Sequence, residues 1–496
     1  MSVPTQLVIF GASGDLAQRK LVPALLGNVA EGALSQGLQV VGVSRSERTS
    51  EGWRTRLDPH IPSELRSTWH GFRDQLHWVS CDPTRPGAVA QLKIALDGLI
   101  AQAGGHPVRS GRLFYLALAP ALFGPVVQAL SDEGMLACPP DSAEGWRRVV
   151  VEKPFGKDLA SAKALNQALL SHLREDQLFR IDHYLGKETV QNILALRFQN
   201  AIFEPLWNRQ HVESVEISVC ETVAMEGRRG AYYDTAGALR DMVQNHLLQV
   251  LALVAMEAPG ALRADAIRNE KVKVLQALRP FSAQRVQSDV VRAQYAAGPA
   301  RDRGYLVEPG VAQGSTTETF VAMRALVDNW RWSGVPFLLR TGKALPKRFS
   351  EVVLRFRTPP VDLLNGPLPE DTCALRPNDL RLLIQPVEAM RWSFLVKQPG
   401  PGMVMRPAEL GFDYASMGEG PTPPAYQRLL LDALEGNATL FIRGDEVEAA
   451  WSFVDGIREG WHATGAPVHQ YPAGSRGPEA ADSLFRGCEG TWSAGP

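Results

Sequence analysis

Residues 6–30, QLVIFGASGDLAQRKLVPALLGNVA, decide the fold. The run at 6–10 is short and apolar, Gly11 interrupts it, and from Leu16 to Ala30 the apolar residues follow a helical spacing. Strand, glycine turn and helix in that order form the first unit of a parallel sheet with crossover connections. The rhythm continues outward. Further apolar runs stand at residues 38–43, 76–80, 113–118 and 148–151, with a helical segment at 123–130. Parallel strands covered on both faces read as continuous apolar runs, as these do. The pattern predicts an α/β Rossmann-like N-terminal domain over residues 1–181.

From residue 182 the pattern changes. Strand-like runs at 212–222, 318–327, 336–340, 351–357, 380–385 and 393–397 follow with few helices between the later ones. Helices are predicted at 234–257, 426–435 and 446–457, and long loops at 298–316 and 359–376. This predicts an α+β C-terminal domain over residues 182–496 with a large, mainly antiparallel sheet.

Composition narrows the function classes. A chain of 496 residues, 45% hydrophobic and 21% charged, is neither a small module nor a disordered protein. Lys plus Arg number 52 against 53 Asp plus Glu, so no global positive field draws nucleic acid or an anionic membrane. An anionic ligand must be held by a local cluster. The longest uncharged apolar stretch, 113–130, contains Pro120, Gly124 and Pro125, which argues against a spanning helix. The first residues carry no basic side chain before Arg19, unlike a signal peptide, and a cytoplasmic protein is expected. Cys81, Cys138, Cys220, Cys373 and Cys488 are far apart and show no zinc-ligand spacing, so no metal is expected.

The turn Gly11-Ala12-Ser13-Gly14-Asp15-Leu16-Ala17 lets backbone N–H groups and a helix N-terminus approach a pyrophosphate. A tight strand-to-helix turn also needs glycine for structural reasons alone. The second strand adds information: it runs into Ser44-Arg45-Ser46, where an NAD-preferring site places an acidic residue for the ribose. A guanidinium between hydroxyls suits a 2′-phosphate, which points to NADP. Glu152-Lys153-Pro154 ends a further strand, where a lysine can hold the nicotinamide end or a substrate hydroxyl, and a cis Lys153–Pro154 bond would aim it inward.

Two further segments concentrate polar chemistry. Residues 180–188, RIDHYLGKE, interleave charges with Ile181, Tyr184 and Leu185; His183, Tyr184 and Lys187 can together bind a phosphate, or the segment can be an ion-pair knot. In the predicted helix 234–257, Asp241, Asn245 and Gln249 form an i, i+4, i+8 stripe with His246 at its edge, on an otherwise apolar helix. A buried polar stripe needs partners, and a hydroxyl-rich substrate supplies them. A satisfied core histidine is the plainer alternative for His246.

With these residues in hand the chain resembles the glucose 6-phosphate dehydrogenase family, through GASGDLA, VEKPFG, RIDHYLGKE, EGRRGAYYD, RDMVQNHLLQ, EKVKVL, GVPFLLRTGKAL and GSRGP in family order from residue 11 to about 478. The resemblance implies oxidation of D-glucose 6-phosphate to 6-phosphoglucono-δ-lactone with NADP, and a homodimer or homotetramer formed through the large sheet. It implies His246 as the base and Asp182 as the carboxylate that orients it. His183, Tyr184 and Lys187 are implied as phosphate ligands, Glu221 and Asp241 as sugar-hydroxyl ligands, with Lys343 and Arg348 approaching the substrate. Gly11 to Ala17, Arg45, Tyr115 and Lys153 match positions around the cofactor. Animal members carry a second, structural NADP site; Arg476 matches part of it, whereas Leu382-Leu383-Ile384 lacks a basic residue beside Gln385. An oxidoreductase for an unphosphorylated sugar is opposed by His183 and Lys187, and a catalytically dead NADP-binding regulator by the presence of both Asp182 and His246.

Overall fold

The computed structural model describes residues 4–35, 37–138, 145–225, 229–360, 378–416, 422–488 and 490–496. Cys373, the Glu226-Gly227-Arg228 part of EGRRGAYYD and most of the predicted loop 359–376 lie outside these. The chain forms two compact units: Met1–Gly186 with Ala261–Arg268 and Pro423–Glu448, and Lys187–Gly260 with Asn269–Thr422 and Ala449–Pro496.

The first unit is built on six parallel strands, β1 (Thr5–Phe10), β2 (Gln39–Ser44), β3 (Leu76–Ser80), β4 (Gly111–Leu116), β5 (Arg147–Val151) and β6 (Leu178–Ile181). Their order is β6-β5-β4-β1-β2-β3, and the two-residue strand Phe441–Ile442 pairs antiparallel with β6 at the outer edge. Leu7, Val8, Ile9 and Phe10 are all buried, as a doubly covered strand requires. Because β1 has β2 on one side and β4 on the other, the strand order reverses there, and the carboxyl end of β1 is the place where open α/β sheets bind ligands. The helix predicted from Leu16 starts as a π turn, Ala17–Leu21, before Val22–Ala30 continues as an α-helix.

The second unit carries a nine-stranded sheet. Its strands are β7 (Val212–Cys220), β8 (Val290–Ala296), β9 (Phe320–Leu326), β10 (Pro336–Gly342), β11 (Phe349–Phe356), β12 (Asp379–Gln385), β13 (Ala389–Lys397) and β14 (Met405–Asp413), with His469–Pro472 beside β8. They lie in the order β14-β13-β12-β11-β7-β10-β9-β8. The β7–β10 pair and the pairing of His469–Pro472 with β8 are parallel; the rest are antiparallel. Tyr295, Tyr305, Phe320, Leu338, Phe349, Tyr471 and Trp492 pack in one cluster on this sheet.

The helix that carries the polar stripe departs from the sequence reading. The helix predicted as continuous over 234–257 is an α segment Arg229–Ala238, a π segment Leu239–Leu247 and an α segment Leu248–Ala255. Gly237 breaks the first of these with φ 70° and ψ 168°, a region open essentially to glycine alone. The carboxylate of Glu318, just before β9, accepts the Leu239 N–H at 2.9 Å and so holds the start of the π segment. Among the described residues, no helix is long and apolar enough to cross a membrane.

Candidate active site

At the carboxyl end of β1 the glycine turn is held tightly. The Gly11 N–H donates to the Val43 carbonyl at 2.9 Å, and the Gly14 N–H donates back to the Gly11 carbonyl at 2.9 Å. Gly11 has φ 78°, and a Cβ there would collide with the Ala117 carbonyl, so no other residue fits. Ala12 and Ala17 are buried, while Asp15 is exposed and pairs loosely with Arg19 at 3.6 Å. Ser13 Oγ lies 3.1 Å from Ser44 Oγ, which ties this turn to the end of β2, and the exposed Arg45 follows directly. The structure therefore brings Gly11 to Ala17 and the Ser44-Arg45 step together at the switch point of the sheet.

Tyr115 and Lys153 are placed differently from one another. Tyr115 is fully buried on β4 and donates its hydroxyl to Glu152 Oε1 at 2.5 Å; the Tyr426 hydroxyl donates to the same oxygen at 3.2 Å. Burial pushes the Glu152 carboxyl up, opposed by those two hydrogen bonds and by Lys153. Lys153 follows this half-buried carboxylate, and its peptide bond to Pro154 is cis. Past β6, Asp182 is buried and takes the Tyr184 N–H on Oδ1 at 2.9 Å, which fixes its carboxylate within the chain turn. The half-buried His183 ring lies parallel to Tyr426, with centroids 6.3 Å apart and planes 10° from parallel. Tyr184 itself is buried.

In the second unit, β7 and β10 run parallel side by side, and the residues just beyond their carboxyl ends meet. Lys343 Nζ donates to Glu221 Oε2 at 2.6 Å and stands 5.1 Å from the centre of the Tyr233 ring. Ala344, next to Lys343, is the one non-glycine residue with positive φ among those described, at 51°. Its conformation is held from both sides, since the Tyr471 hydroxyl donates to the Lys343 carbonyl at 2.6 Å and the Gly474 N–H to the Ala344 carbonyl at 2.7 Å. Strain of this kind concentrates at ligand sites. The buried Tyr233 hydroxyl has its pKa raised by burial first, then by the negative charges of Asp241 and Glu318, with Glu221 adding to them.

The π segment packs against β7 and β10. It holds His246 and Asn245 buried, with the His246 N–H donating to Asn245 Oδ1 at 2.6 Å, while Asp241 is half-buried. Asp241 and Asn245 lie in the π segment, whereas Gln249 falls in the α segment that follows it. Gln249 is buried, with Oε1 lacking a hydrogen-bond partner. Lys187 begins the helix Glu188–Phe198; burial lowers its pKa, the nearby Arg348 lowers it further and Glu388 opposes both. Arg348 is exposed.

Two family models match the chain: "Glucose-6-phosphate dehydrogenase, NAD binding domain" over residues 8–192 and "Glucose-6-phosphate dehydrogenase, C-terminal domain" over residues 194–493. The chain belongs to the glucose-6-phosphate dehydrogenase family. Among its relatives, the glucose-6-phosphate 1-dehydrogenases of Treponema pallidum and Rhizobium meliloti are each 43% identical, covering 99% of this chain and 95% and 98% of their own. A solved glucose-6-phosphate dehydrogenase in complex with its substrate glucose-6-phosphate is 33% identical with a TM-score of 0.90, covering 99% of both chains. The glucose-6-phosphate 1-dehydrogenase of Mycobacterium avium gives 35% and 0.82, again over 99% of both chains. Family membership makes the first unit a nicotinamide-nucleotide-binding domain and the protein an oxidoreductase.

Sequence reasoning missed Tyr426, Glu318 and Tyr233. Tyr426 lies 274 residues from Glu152, and nothing in either local pattern announces the pairing. The apolar run places Glu318 first in a strand; β9 starts at Phe320, which frees the carboxylate to hold Leu239. A buried acid directly before an apolar strand was the available signal.

Proposed function

We propose that the chain oxidises D-glucose 6-phosphate to 6-phosphoglucono-δ-lactone with NADP, the first step of the oxidative pentose phosphate pathway. The observation that supports this reading is the π segment: in a chain matched by both family domains, the segment that includes Asp241 and His246 packs on β7 and β10, and the residues just past those strands are Glu221 and Lys343. Glu221, Asp241 and Lys343 offer two acceptors and one donor to sugar hydroxyls. Lys187, held beside Arg348 at a cost in repulsion, gains from a phosphate dianion that offsets both charges. His183 and Tyr184 add donors to the same phosphate.

The residues around β1 fit the cofactor. The collision that excludes a side chain at Gly11 keeps the backbone of the turn open to a pyrophosphate, and exposed Arg45 suits a 2′-phosphate. NADP, when bound, supplies the hydride acceptor. His246 takes the proton of the anomeric hydroxyl, and Asp182, its Oδ1 already fixed by the Tyr184 N–H, holds the imidazole in the tautomer that leaves the accepting nitrogen free. Lys153, beside half-buried Glu152, orients the reacting end of cofactor and substrate.

The same reading makes the protein a cytoplasmic homodimer or homotetramer formed through the large sheet. Its support is the exposed apolar face of β13 and β14, where Val396 and Leu410 are 38% and 63% exposed beside a cavity of about 690 Å³ lined by Phe356, Trp392 and Phe394.

Absorbance at the reduced-nicotinamide band, with glucose 6-phosphate or glucose crossed with NADP or NAD, tests the reaction. Glucose 6-phosphate with NADP is expected to be fastest, and equal rates with glucose would sink the assignment. His246→Asn is expected to keep substrate binding and lose on the order of 10²–10⁴ in kcat.

A further inference from the structure

Lys343 has a backbone fixed on both sides: its N–H donates to the Thr319 carbonyl at 3.0 Å, and its carbonyl accepts the Tyr471 hydroxyl at 2.6 Å. The ammonium is less easily fixed, because a flexible four-carbon stem separates it from that backbone. Its bond to Glu221 at 2.6 Å is a weak anchor, since the two side chains are 14% and 31% exposed and ion pairs open to water contribute little. The same bond must loosen when substrate arrives, because a sugar hydroxyl that donates to Glu221 competes with the lysine for the carboxylate.

The Tyr233 ring supplies a hold of another kind. The Lys343 ammonium stands over it, 5.1 Å from its centre, inside the range in which a cation is drawn to the negative face of an aromatic ring. This attraction uses no acceptor, so the ammonium protons are left to Glu221 and to a substrate. Tyr233 cannot move aside. It is 4% exposed, its hydroxyl lies 3.5 Å from the Glu318 carbonyl, and its ring meets that of Tyr305 edge to face with centroids 6.3 Å apart. Tyr305 is tied in turn by a 2.8 Å hydrogen bond to Asp234, the residue after Tyr233. Burial first, and then nearby negative charge led by Asp241, keep the Tyr233 hydroxyl protonated, so a neutral phenol faces the lysine.

We propose that Tyr233 is a positioning residue for the reaction: the face of its ring keeps the Lys343 ammonium in place while Glu221 turns to the sugar. Its part in the reaction rests on the function proposed above; the grip of ring on lysine does not.

A ring that only fills the core answers to its shape, whereas a ring that holds a cation answers to its electrons. Phenylalanine and its mono-, di- and trifluorinated forms, placed at position 233 by nonsense suppression, keep nearly one shape while fluorine draws charge from the ring face. With glucose 6-phosphate and NADP, Tyr233→Phe is expected to stay close to wild type, because the ring face is retained. Along the fluorinated series kcat/KM is expected to fall stepwise, by about two- to thirtyfold at the trifluorinated ring, with most of the loss in KM. In a Lys343→Met background the series is expected to be flat. No fall in the presence of Lys343, or an equal fall in both backgrounds, makes Tyr233 a core residue and overturns the positioning role. Acylation of Lys343 by acetic anhydride without substrate, followed by mass spectrometry, reads the grip alone. It is expected to be at least twofold faster beside the trifluorinated ring than beside phenylalanine, and equal rates overturn the contact. A wild type that fails to turn over glucose 6-phosphate sinks the reaction and Tyr233's part in it, while the acylation rates still decide whether the ring holds the lysine.

Discussion

Gly237→Ala probes the device that starts the π segment. With φ 70° and ψ 168°, an alanine there carries strain of about 1–3 kcal/mol. Its Cβ would also fall on Glu318 Oε1, so the carboxylate must leave the Leu239 N–H it holds at 2.9 Å. A buried polar group stripped of its partner costs about 1–3 kcal/mol more. The two terms sum to roughly 2–6 kcal/mol. They separate in a double-mutant cycle, because in a Glu318→Ala background the collision is gone and only the backbone term of about 1–3 kcal/mol is left. Urea unfolding of wild type, both single variants and the double variant gives the stabilities, and initial rates give kcat. Since His246 stands seven residues past Leu239 on the displaced segment, kcat is expected to fall at least tenfold in Gly237→Ala, with KM changing less. Equal destabilisation by Gly237→Ala in both backgrounds, or an unchanged kcat in a clearly destabilised variant, would refute the argument.

Arg45→Ala is expected to reduce kcat/KM with NADP by about ten- to a hundredfold and with NAD far less, because NADP alone carries the 2′-phosphate; equal loss with both cofactors removes that role. Lys187→Ala is expected to raise KM for glucose 6-phosphate much more than for glucose, and parallel losses would make it structural. Lys343→Met leaves Glu221 without its 2.6 Å partner and is expected to raise KM at least tenfold, with little effect on urea unfolding because Glu221 is 31% exposed. Asp432 is buried, and burial raises its pKa from 3.8 to about 6. A carboxyl with a raised folded-state pKa contributes stability that is fully present below about pH 4 and lost as pH rises through about 6. Urea unfolding at pH 4, 5, 6 and 7 should therefore show wild type losing stability relative to Asp432→Asn across that window, and a flat difference would contradict the sign.

The sequence carried the parallel sheet plainly, because strands covered on both faces leave unbroken apolar runs such as 6–10 and 113–116, and Gly11 marks the turn where a side chain would collide. It carried the later strands less well. β14 contains Pro407 and Gly411 and is largely exposed, so no alternation survives to be read. β8 follows the helix Ala283–Asp289 without a break, and Phe441–Ile442 is too short to show any period. For the site, His246, Asp241 and Lys187 stood out as polar groups among apolar ones, whereas Glu221 and Lys343 were implied only by the family resemblance. The local winding did not stand out, since an apolar pattern at helical spacing does not tell the π segment Leu239–Leu247 from an α-helix. The pairing of Glu152 with Tyr115 and Tyr426 depends on contacts across the sequence that no local pattern encodes.

The two-residue strand Phe441–Ile442 sets an order on the birth of the first unit. Its partner β6 is complete at Ile181, so 442 − 181 = 261 further residues must be made before the outer edge of that sheet is covered. At about 5–20 residues per second, roughly 10–50 s pass with the backbone donors and acceptors of β6 open on that side. An open edge is a template for any extended chain nearby. A ribosome that stalls in this interval, or a gene cut short before codon 441, therefore releases a sheet with one adhesive border, whereas loss of the residues after Glu448 leaves that border sealed.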